Sequence, residues 1–159
     1  MKAKPKKATG RTGRKLLLLG AGGHAKVVLD ALFSSGSKPV ACLDPDPKLK
    51  GGALSGVPIQ GGEELIGAFP SSEYGLINGV GAPRDNQRRK EVFERFRSQG
   101  YEFPPVVAPS ALCSDSASLG AGAQILTRAV VHPGAVIGEN TIINTGAIVE
   151  HDCVVGANA

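Results

Sequence analysis

Residues 135–159 read AVIGENTIINTGAIVEHDCVVGANA, and every sixth position is a branched apolar residue: Ile137, Ile143, Val149, Val155. The pattern extends back to Val107. Written in sixes from there, the first positions are Val107, Cys113, Leu119, Ile125, Val131, Ile137, Ile143, Val149 and Val155. The fifth positions are Ala111, Ala117, Ala123, Ala129, Ala135, Thr141, Ala147, Cys153 and Ala159. Nine consecutive sixes thus place an apolar residue first and a small one fifth, and Gly120, Gly138 and Gly156 recur at second positions 18 residues apart. Three sixes per period describe a three-sided coil with one short strand per side. The apolar first positions stack inward, and each coil hydrogen-bonds to the next at strand spacing of about 4.8 Å. The expectation is a hexapeptide-repeat parallel β-helix of about three coils over residues 106–159. It is expected to be incomplete, because a solenoid end without a cap exposes unpaired backbone.

Upstream of the repeat, the period changes. The apolar run Lys15–Leu19 ends in Gly20-Ala21-Gly22-Gly23-His24-Ala25, and Lys26–Phe33 follows with Val28, Ala31 and Leu32 on one helical face. Strand, glycine turn and helix open a βαβ unit. A second strand is expected at 39–43, ending at Asp44. Residues 44–64 read as loop with a short strand near Val57-Pro58-Ile59, and 63–68 as a short helix. A third strand, 74–78, leads into Gly79-Val80-Gly81. A charged helix over 85–99 turns Val92, Phe93 and Phe96 inward and stops at Gly100. The organisation expected is a basic tail (1–14), a Rossmann-like α/β domain (15–105) ending at Pro104-Pro105, and the β-helix (106–159).

Charge separates along the same lines. Residues 1–15 hold seven of the 18 basic residues and no acidic one, which leaves 11 basic against 14 acidic residues and a net of −3 for the rest. The tail reads as a solvated extension. The helix over 85–99, with Arg84 before it, carries Arg88, Arg89, Lys90, Arg95 and Arg97 interleaved with Asp85, Glu91 and Glu94 and reads as a solvated face, so nucleic-acid binding is not expected. No stretch has the length and apolarity of a membrane span, and the tail has no apolar signal core. Cys42, Cys113 and Cys153 form no CxxC pair and read as reduced thiols of a cytoplasmic protein.

Two places can carry chemistry. The turn Gly20-x-Gly22-Gly23-His24-Ala25 presents backbone N–H groups at a helix start, where a phosphate or pyrophosphate can sit. Asp44 stands at the end of the second strand, where an acidic residue can bond ribose hydroxyls. His24, inside the turn, is either a donor to a phosphate or substrate or a helix-start residue with no partner. His151 is at a third position, outward near a corner, flanked by Glu150 and Asp152. A neighbouring carboxylate would hold its imidazole in one tautomer and raise its basicity, although an outward histidine can equally be a solvated one. Asn144, seven residues earlier, can reach the same corner. His132, beside Pro133-Gly134, reads as structural or exposed. No His/Cys/Asp cluster has metal-ligand spacing, so no metal is expected.

Several of these stretches together resemble one family. They are Gly20-Ala21-Gly22-Gly23-His24-Ala25-Lys26-Val27-Val28, Leu43-Asp44-Pro45-Asp46, Gly79-Val80-Gly81, and Asn144-Thr145 with Glu150-His151-Asp152-Cys153-Val154-Val155-Gly156. They are similar to the sugar acetyltransferases related to sialic-acid O-acetyltransferase and to the bacterial UDP-amino-sugar N-acetyltransferases. The resemblance covers roughly residues 15–159 and implies a left-handed β-helix, a homotrimer, acetyl-CoA bound between neighbouring subunits, and a nucleotide-sugar (UDP-sugar) acceptor in the N-terminal domain. It further implies His151 as general base, Asp152 or Glu150 as its orienter, and Asn144 as a supporting residue. Gly20, Gly22, Gly23, His24, Asp44, Asp46 and Gly81 would line the acceptor pocket. The chain departs from the family in having few coils and in carrying Ala108 where relatives often have His. The function expected is acetyl-CoA-dependent N-acetylation of a nucleotide-linked 4-amino sugar in bacterial surface-glycan synthesis. Sialic-acid-type O-acetylation, and a non-catalytic nucleotide-sugar or dinucleotide-binding module on a β-helical trimerisation stem, stand as the alternatives.

Overall fold

The computed structural model describes residues 13–82 and 85–159, so most of the basic tail and Arg84 lie outside the described residues. Four-leucine strand β1 (Lys15–Leu19) runs through the middle of a sheet that also contains β2 (Ala41–Leu43), β3 (Ala53–Leu54), β4 (Val57–Gly61) and β5 (Tyr74–Asn78), in the order β3-β4-β2-β1-β5. β1 pairs in parallel with β2 on one side and β5 on the other. A continuous apolar run suits a strand covered on both faces. Leu16 and Leu18 pack with Val28, Leu29 and Leu32 of helix α1 (Gly23–Ser34), while Leu17 and Leu19 pack with Val92, Phe93 and Phe96 of helix α2 (Gln87–Ser98).

Helix α1 begins three residues before the periodic segment seen in the sequence, because the glycine turn runs directly into it with Gly22 as N-cap. The segment after Asp44 is more ordered than its composition suggested. β3 and β4 form an antiparallel hairpin around Ser55-Gly56, both at positive φ (48° and 77°), a two-residue turn whose twist suits a hairpin. β4 then joins β2 in parallel, and Glu63–Ala68 forms a 3-10 helix.

Beyond Pro105, nine two-residue strands follow at six-residue intervals: β6 (Val106–Val107), β7 (Leu112–Cys113), β8 (Ser118–Leu119), β9 (Gln124–Ile125), β10 (Val130–Val131), β11 (Val136–Ile137), β12 (Ile142–Ile143), β13 (Ile148–Val149) and β14 (Val154–Val155). They form three parallel three-stranded sheets, β6-β9-β12, β7-β10-β13 and β8-β11-β14, in which each residue pairs with the one 18 positions on. This is the left-handed β-helix. First-position Ile125, Val131, Ile137, Ile143 and Val149 and fifth-position Ala117, Ala123, Ala129 and Ala135 are its core. The glycine ladder has a steric cause. A Cβ on Gly138 would lie 2.5 Å from the nitrogen of Ala157 and from the carbonyl carbon of Gly156, so the coils pass too closely there for a side chain.

The three outer sides differ. Val106 and Gln124 are buried beneath the N-terminal domain. The second side bears Leu112, 70% exposed, and Ile148, 62% exposed, on either side of Val130 in sheet β7-β10-β13. The third bears Ser118, Val136 and Val154.

Candidate functional site

β1 sends its chain one way to β2 and the other way to β5, so the carboxyl ends of β1 and β5 diverge and leave a crevice, the usual ligand position in an open parallel sheet. A cleft of about 630 Å³ opens there, lined by Gly20, Gly22, His24, Asp44, Pro45, Glu63, Gly79, Val80, Gly81, Ala82 and Arg88, and on the β-helix side by Ile142, Asn144 and Ala159. Three of its four glycines are required, Gly20 by a positive φ and Gly79 and Gly81 by close approach. Gly20 sits at φ 89°; a Cβ on Gly79 would lie 2.8 Å from the Leu19 carbonyl oxygen, and one on Gly81 would lie 2.9 Å from the His24 Cβ.

The seven expected acceptor residues do not all behave alike. Gly20, Gly22, His24, Asp44 and Gly81 line the cleft; Asp46 does not. Its Oδ1 accepts from the Lys48 amide at 2.9 Å, which makes it a turn residue of the loop. Gly23 opens α1 and lines no part of the cleft. Asp44 is already engaged: its Oδ2 accepts from the Ala21 amide at 2.7 Å and its Oδ1 from the Asp46 amide at 2.9 Å. The carboxylate therefore braces the glycine turn against its own loop, with lone pairs left over for a ligand.

His24 has a partner that sequence reading did not supply. Its Nε2 lies 2.7 Å from Gln124 Oε1, a residue 100 positions away on the β-helix, and Gln124 Nε2 donates to the Asn78 carbonyl at 2.7 Å. Burial pushes the His24 pKa below its ordinary 6.5. The Gln124 hydrogen bond partly opposes this, and the charge of Arg89 adds to it, so the surroundings favour the neutral ring.

Arg89 corrects the expectation of a solvated basic helix. It is 1% exposed. Its Nε donates to the Asn140 carbonyl at 3.0 Å, and its Nη1 donates to the carbonyls of Asn78 at 3.0 Å and Val80 at 2.8 Å. Burial without a carboxylate partner pulls its pKa down to about 10. Asn78 Nδ2 donates to Asn140 Oδ1 at 3.0 Å, and Asn140 Nδ2 to Asn158 Oδ1 at 2.8 Å. A polar seam of Asn78, Arg89, Gln124 and Asn140 thereby joins the sheet, α2 and the β-helix directly behind the cleft. The other bases of α2 are also engaged. Arg88 and Arg95 both pair with Glu63, Lys90 lies 3.8 Å from Glu94, and Arg97 lies 3.4 Å from Glu139. No row of free cations remains on the described part of this helix.

On the β-helix, His151 and Asp152 occupy an outer corner. His151 Nδ1 lies 2.9 Å from Asp152 Oδ2, and the His151 side chain is 75% exposed. Asp152 adopts φ 58°, and its carboxylate occupies the space above Gly134, where a Cβ would meet Oδ1 at 2.2 Å. The hydrogen bond and the negative charge of Asp152 hold the His151 pKa above 6.5, with a smaller push from Glu150. Glu150 itself turns to His132, whose Nε2 is 3.9 Å away, one coil earlier. Of the two flanking carboxylates, only Asp152 orients the ring. Asn144 lines the cleft but His151 does not, so the chain alone does not bring the two candidate centres together.

Cys42, Cys113 and Cys153 form no disulfide, and burial and nearby Asp44 push Cys42 up to about 11. Among the described residues, no group of His, Cys, Asp or Glu is arranged to hold a metal ion, and no helix is long and apolar enough to cross a membrane.

Residues 15–96 match the model of the PglD N-terminal domain family. The chain is 32% identical to a histidine-to-alanine mutant of GDP-perosamine N-acetyltransferase from Caulobacter crescentus, solved in complex with CoA and GDP-perosamine. That match covers 91% of this chain and 67% of the other, at a TM-score of 0.82. It is also 32% identical to the acetyltransferase domain of PglB from Neisseria gonorrhoeae in complex with acetyl coenzyme A, over 91% of this chain and 68% of the other, at a TM-score of 0.81. WeeI from Acinetobacter baumannii shares the fold at 17% identity and a TM-score of 0.53. The chain spans about two thirds of the length of the perosamine and PglB proteins.

Proposed function

The chain belongs to the hexapeptide-repeat sugar acetyltransferases with a PglD-type N-terminal domain, and from that premise we propose that it moves an acetyl group from acetyl-CoA to the amine of a nucleotide-linked amino sugar. The observation that carries this reading is the cleft at the carboxyl ends of β1 and β5. It offers a glycine turn at a helix start to a diphosphate, and its far wall is the β-helix through Ile142 and Asn144. The relatives solved with CoA and GDP-perosamine, or with acetyl coenzyme A, support both halves of the assignment.

In the reaction the amine nitrogen attacks the thioester carbonyl carbon and loses a proton, and the C–S bond then breaks to release CoA as thiolate, which takes up a proton. His151 is assigned the first proton. An ionised carboxylate only accepts hydrogen bonds, so Asp152 fixes the neutral ring with its proton on Nδ1 and leaves Nε2 as the base. Holding donor and acceptor together removes much of the entropic barrier.

The exposed His151 and the apolar side Leu112–Val130–Ile148 support a homotrimer in which a neighbouring protomer meets this corner and brings acetyl-CoA and acceptor to the base. Cys42, Cys113 and Cys153, none of them in a disulfide, fit a reducing, cytoplasmic setting.

The test is release of free CoA thiol from acetyl-CoA with UDP- and GDP-linked 4-amino sugars, run beside their 4-hydroxy counterparts and with NAD binding measured by calorimetry. Turnover with an amino sugar alone is expected. NAD binding without thiol release from any sugar would replace this reading with a cofactor-binding module.

A further inference from the structure

Gln124 sits at a sixth position of the repeat, where the other outer residues are Val, Leu, Ser and Ile, and it is buried between the β-helix and the N-terminal domain. A buried amide is costly unless all its groups are satisfied. Here each end has one definite partner: Nε2 donates to the Asn78 carbonyl at 2.7 Å, and Oε1 lies 2.7 Å from His24 Nε2. The amide has no second orientation. Reversed, it would set its carbonyl oxygen 2.7 Å from that of Asn78, two acceptors without a proton between them. The Asn78 carbonyl is itself fixed, since its other lone pair takes Arg89 Nη1 at 3.0 Å. With Oε1 locked toward the ring, the neutral imidazole must carry its proton on Nε2, and Nδ1 is the acceptor nitrogen. Nδ1 has no hydrogen-bond partner among the described residues, and the ring borders the cleft beside Gly22 and Gly81.

We infer that Gln124 is a positioning residue that fixes His24 as the Nε2–H tautomer, so that Nδ1 accepts a hydrogen bond from a donor group, a hydroxyl or amine, of the bound nucleotide sugar. The inference rests on the assignment of the cleft to the acceptor. It gives the β-helix a part in acceptor recognition, because the residue that sets the polarity of the ring belongs to the solenoid and not to the nucleotide-binding domain. It also makes Nδ1 of the neutral ring an acceptor, the opposite of the phosphate donor that a histidine in a glycine turn suggests. The charged groups around the ring are Arg89 behind the seam and Asp44, Glu63 and Arg88 on the cleft walls.

The experiment is nitrogen-15 NMR of the side chains of the three histidines, with His24 assigned by the signals lost in His24→Asn. The wild-type ring is expected to show a protonated Nε2 and a bare Nδ1 at pH 7.5, and Nδ1 alone is expected to shift as a hydrogen-bonded acceptor when the nucleotide amino sugar is added. A proton on Nδ1, or an unmoved Nδ1 in the ligand-saturated protein, overturns the inference. Failure of any nucleotide sugar to bind, with the Nε2–H tautomer in place, overturns the acceptor assignment instead. Gln124→Leu is expected to mix the tautomers and raise KM for the sugar about tenfold while kcat stays within about a factor of two. Gln124→Glu, which places a carboxylate against Nε2, is expected to protonate the ring at neutral pH and weaken sugar binding, with recovery as pH rises. A merely structural Gln124 would lower stability in both variants without that pH-dependent recovery.

Discussion

The two histidines that matter here stand in opposite surroundings. His24 is enclosed by a seam in which Asn78, Arg89, Gln124 and Asn140 hydrogen-bond to one another inside one chain. His151 stands on an open corner with one partner, Asp152, and solvent on its remaining sides. Burial lowers the pKa of the first and a carboxylate raises that of the second. Their hydrogen bonds also select opposite ring nitrogens: the proton is on Nε2 at position 24 and on Nδ1 at position 151. The seam is closed within the chain but for Arg89 Nη2, which has no hydrogen-bond partner among the described residues, and the corner is proposed as half of a site. Buried polar networks are costly where their groups go unpartnered, whereas a catalytic base must stay accessible until its substrates arrive.

The comparison breaks most visibly at the corner. His151→Ala is expected to lower turnover by about two to four orders of magnitude while leaving acceptor binding nearly unchanged. It should alter folding stability by no more than about 0.5 kcal/mol, since the side chain is exposed. Thiol-release kinetics beside sugar calorimetry and urea denaturation check all three. Unchanged turnover would remove His151 from the mechanism. Arg89→Ala should do the reverse. It strips donors from the carbonyls of Asn78, Val80 and Asn140, all in the seam, and is expected to cost about 3 kcal/mol in urea denaturation and to loosen the two parts of the chain. A loss below about 1 kcal/mol would mean that water or a shifted helix replaces the guanidinium.

The difference between the two regions also explains what could be read from the sequence. The β-helix was legible because one rule repeats: an apolar first position, a small fifth, a glycine where coils crowd. Even so, the sixes hold a further regularity. Fourth positions Gly122, Arg128, Gly134, Asn140, Gly146, Asp152 and Asn158 all adopt positive φ, which is why Gly, Asn and Asp dominate them. That rule places Asp152 at a left-handed corner and so fixes which neighbour of His151 can reach Nδ1. The flanking pair Glu150 and Asp152 looked equivalent only because a linear sequence does not show that Glu150 stacks over His132 one coil away. The seam was invisible for a different reason. Arg89 lies among other charged residues in a helix with an ordinary amphipathic pattern, and its partners are 11 and 51 residues distant. Gln124 carried a weak signal, being the one amide among sixth positions otherwise filled by Val, Leu, Ser and Ile.

The finest test compares the two means of tuning a ring. Asp152 raises the His151 pKa through its hydrogen bond and charge, and the proposed base is the deprotonated ring. The acid limb of kcat/KM should therefore have its midpoint above 6.5 in the native protein, with activity increasing as pH rises through it. Asp152→Asn removes the charge and lets either ring nitrogen hold the proton. The midpoint should move down toward 6.5, with Glu150 keeping a small residual push, and the plateau should fall by about tenfold because the tautomer is no longer fixed. Glu150→Gln should move the midpoint less and leave the plateau near its native level, because its carboxylate faces His132. If Glu150→Gln moved the profile as far as Asp152→Asn, the two carboxylates would share the ring, and the left-handed corner at Asp152 would lose its special part in aiming the base.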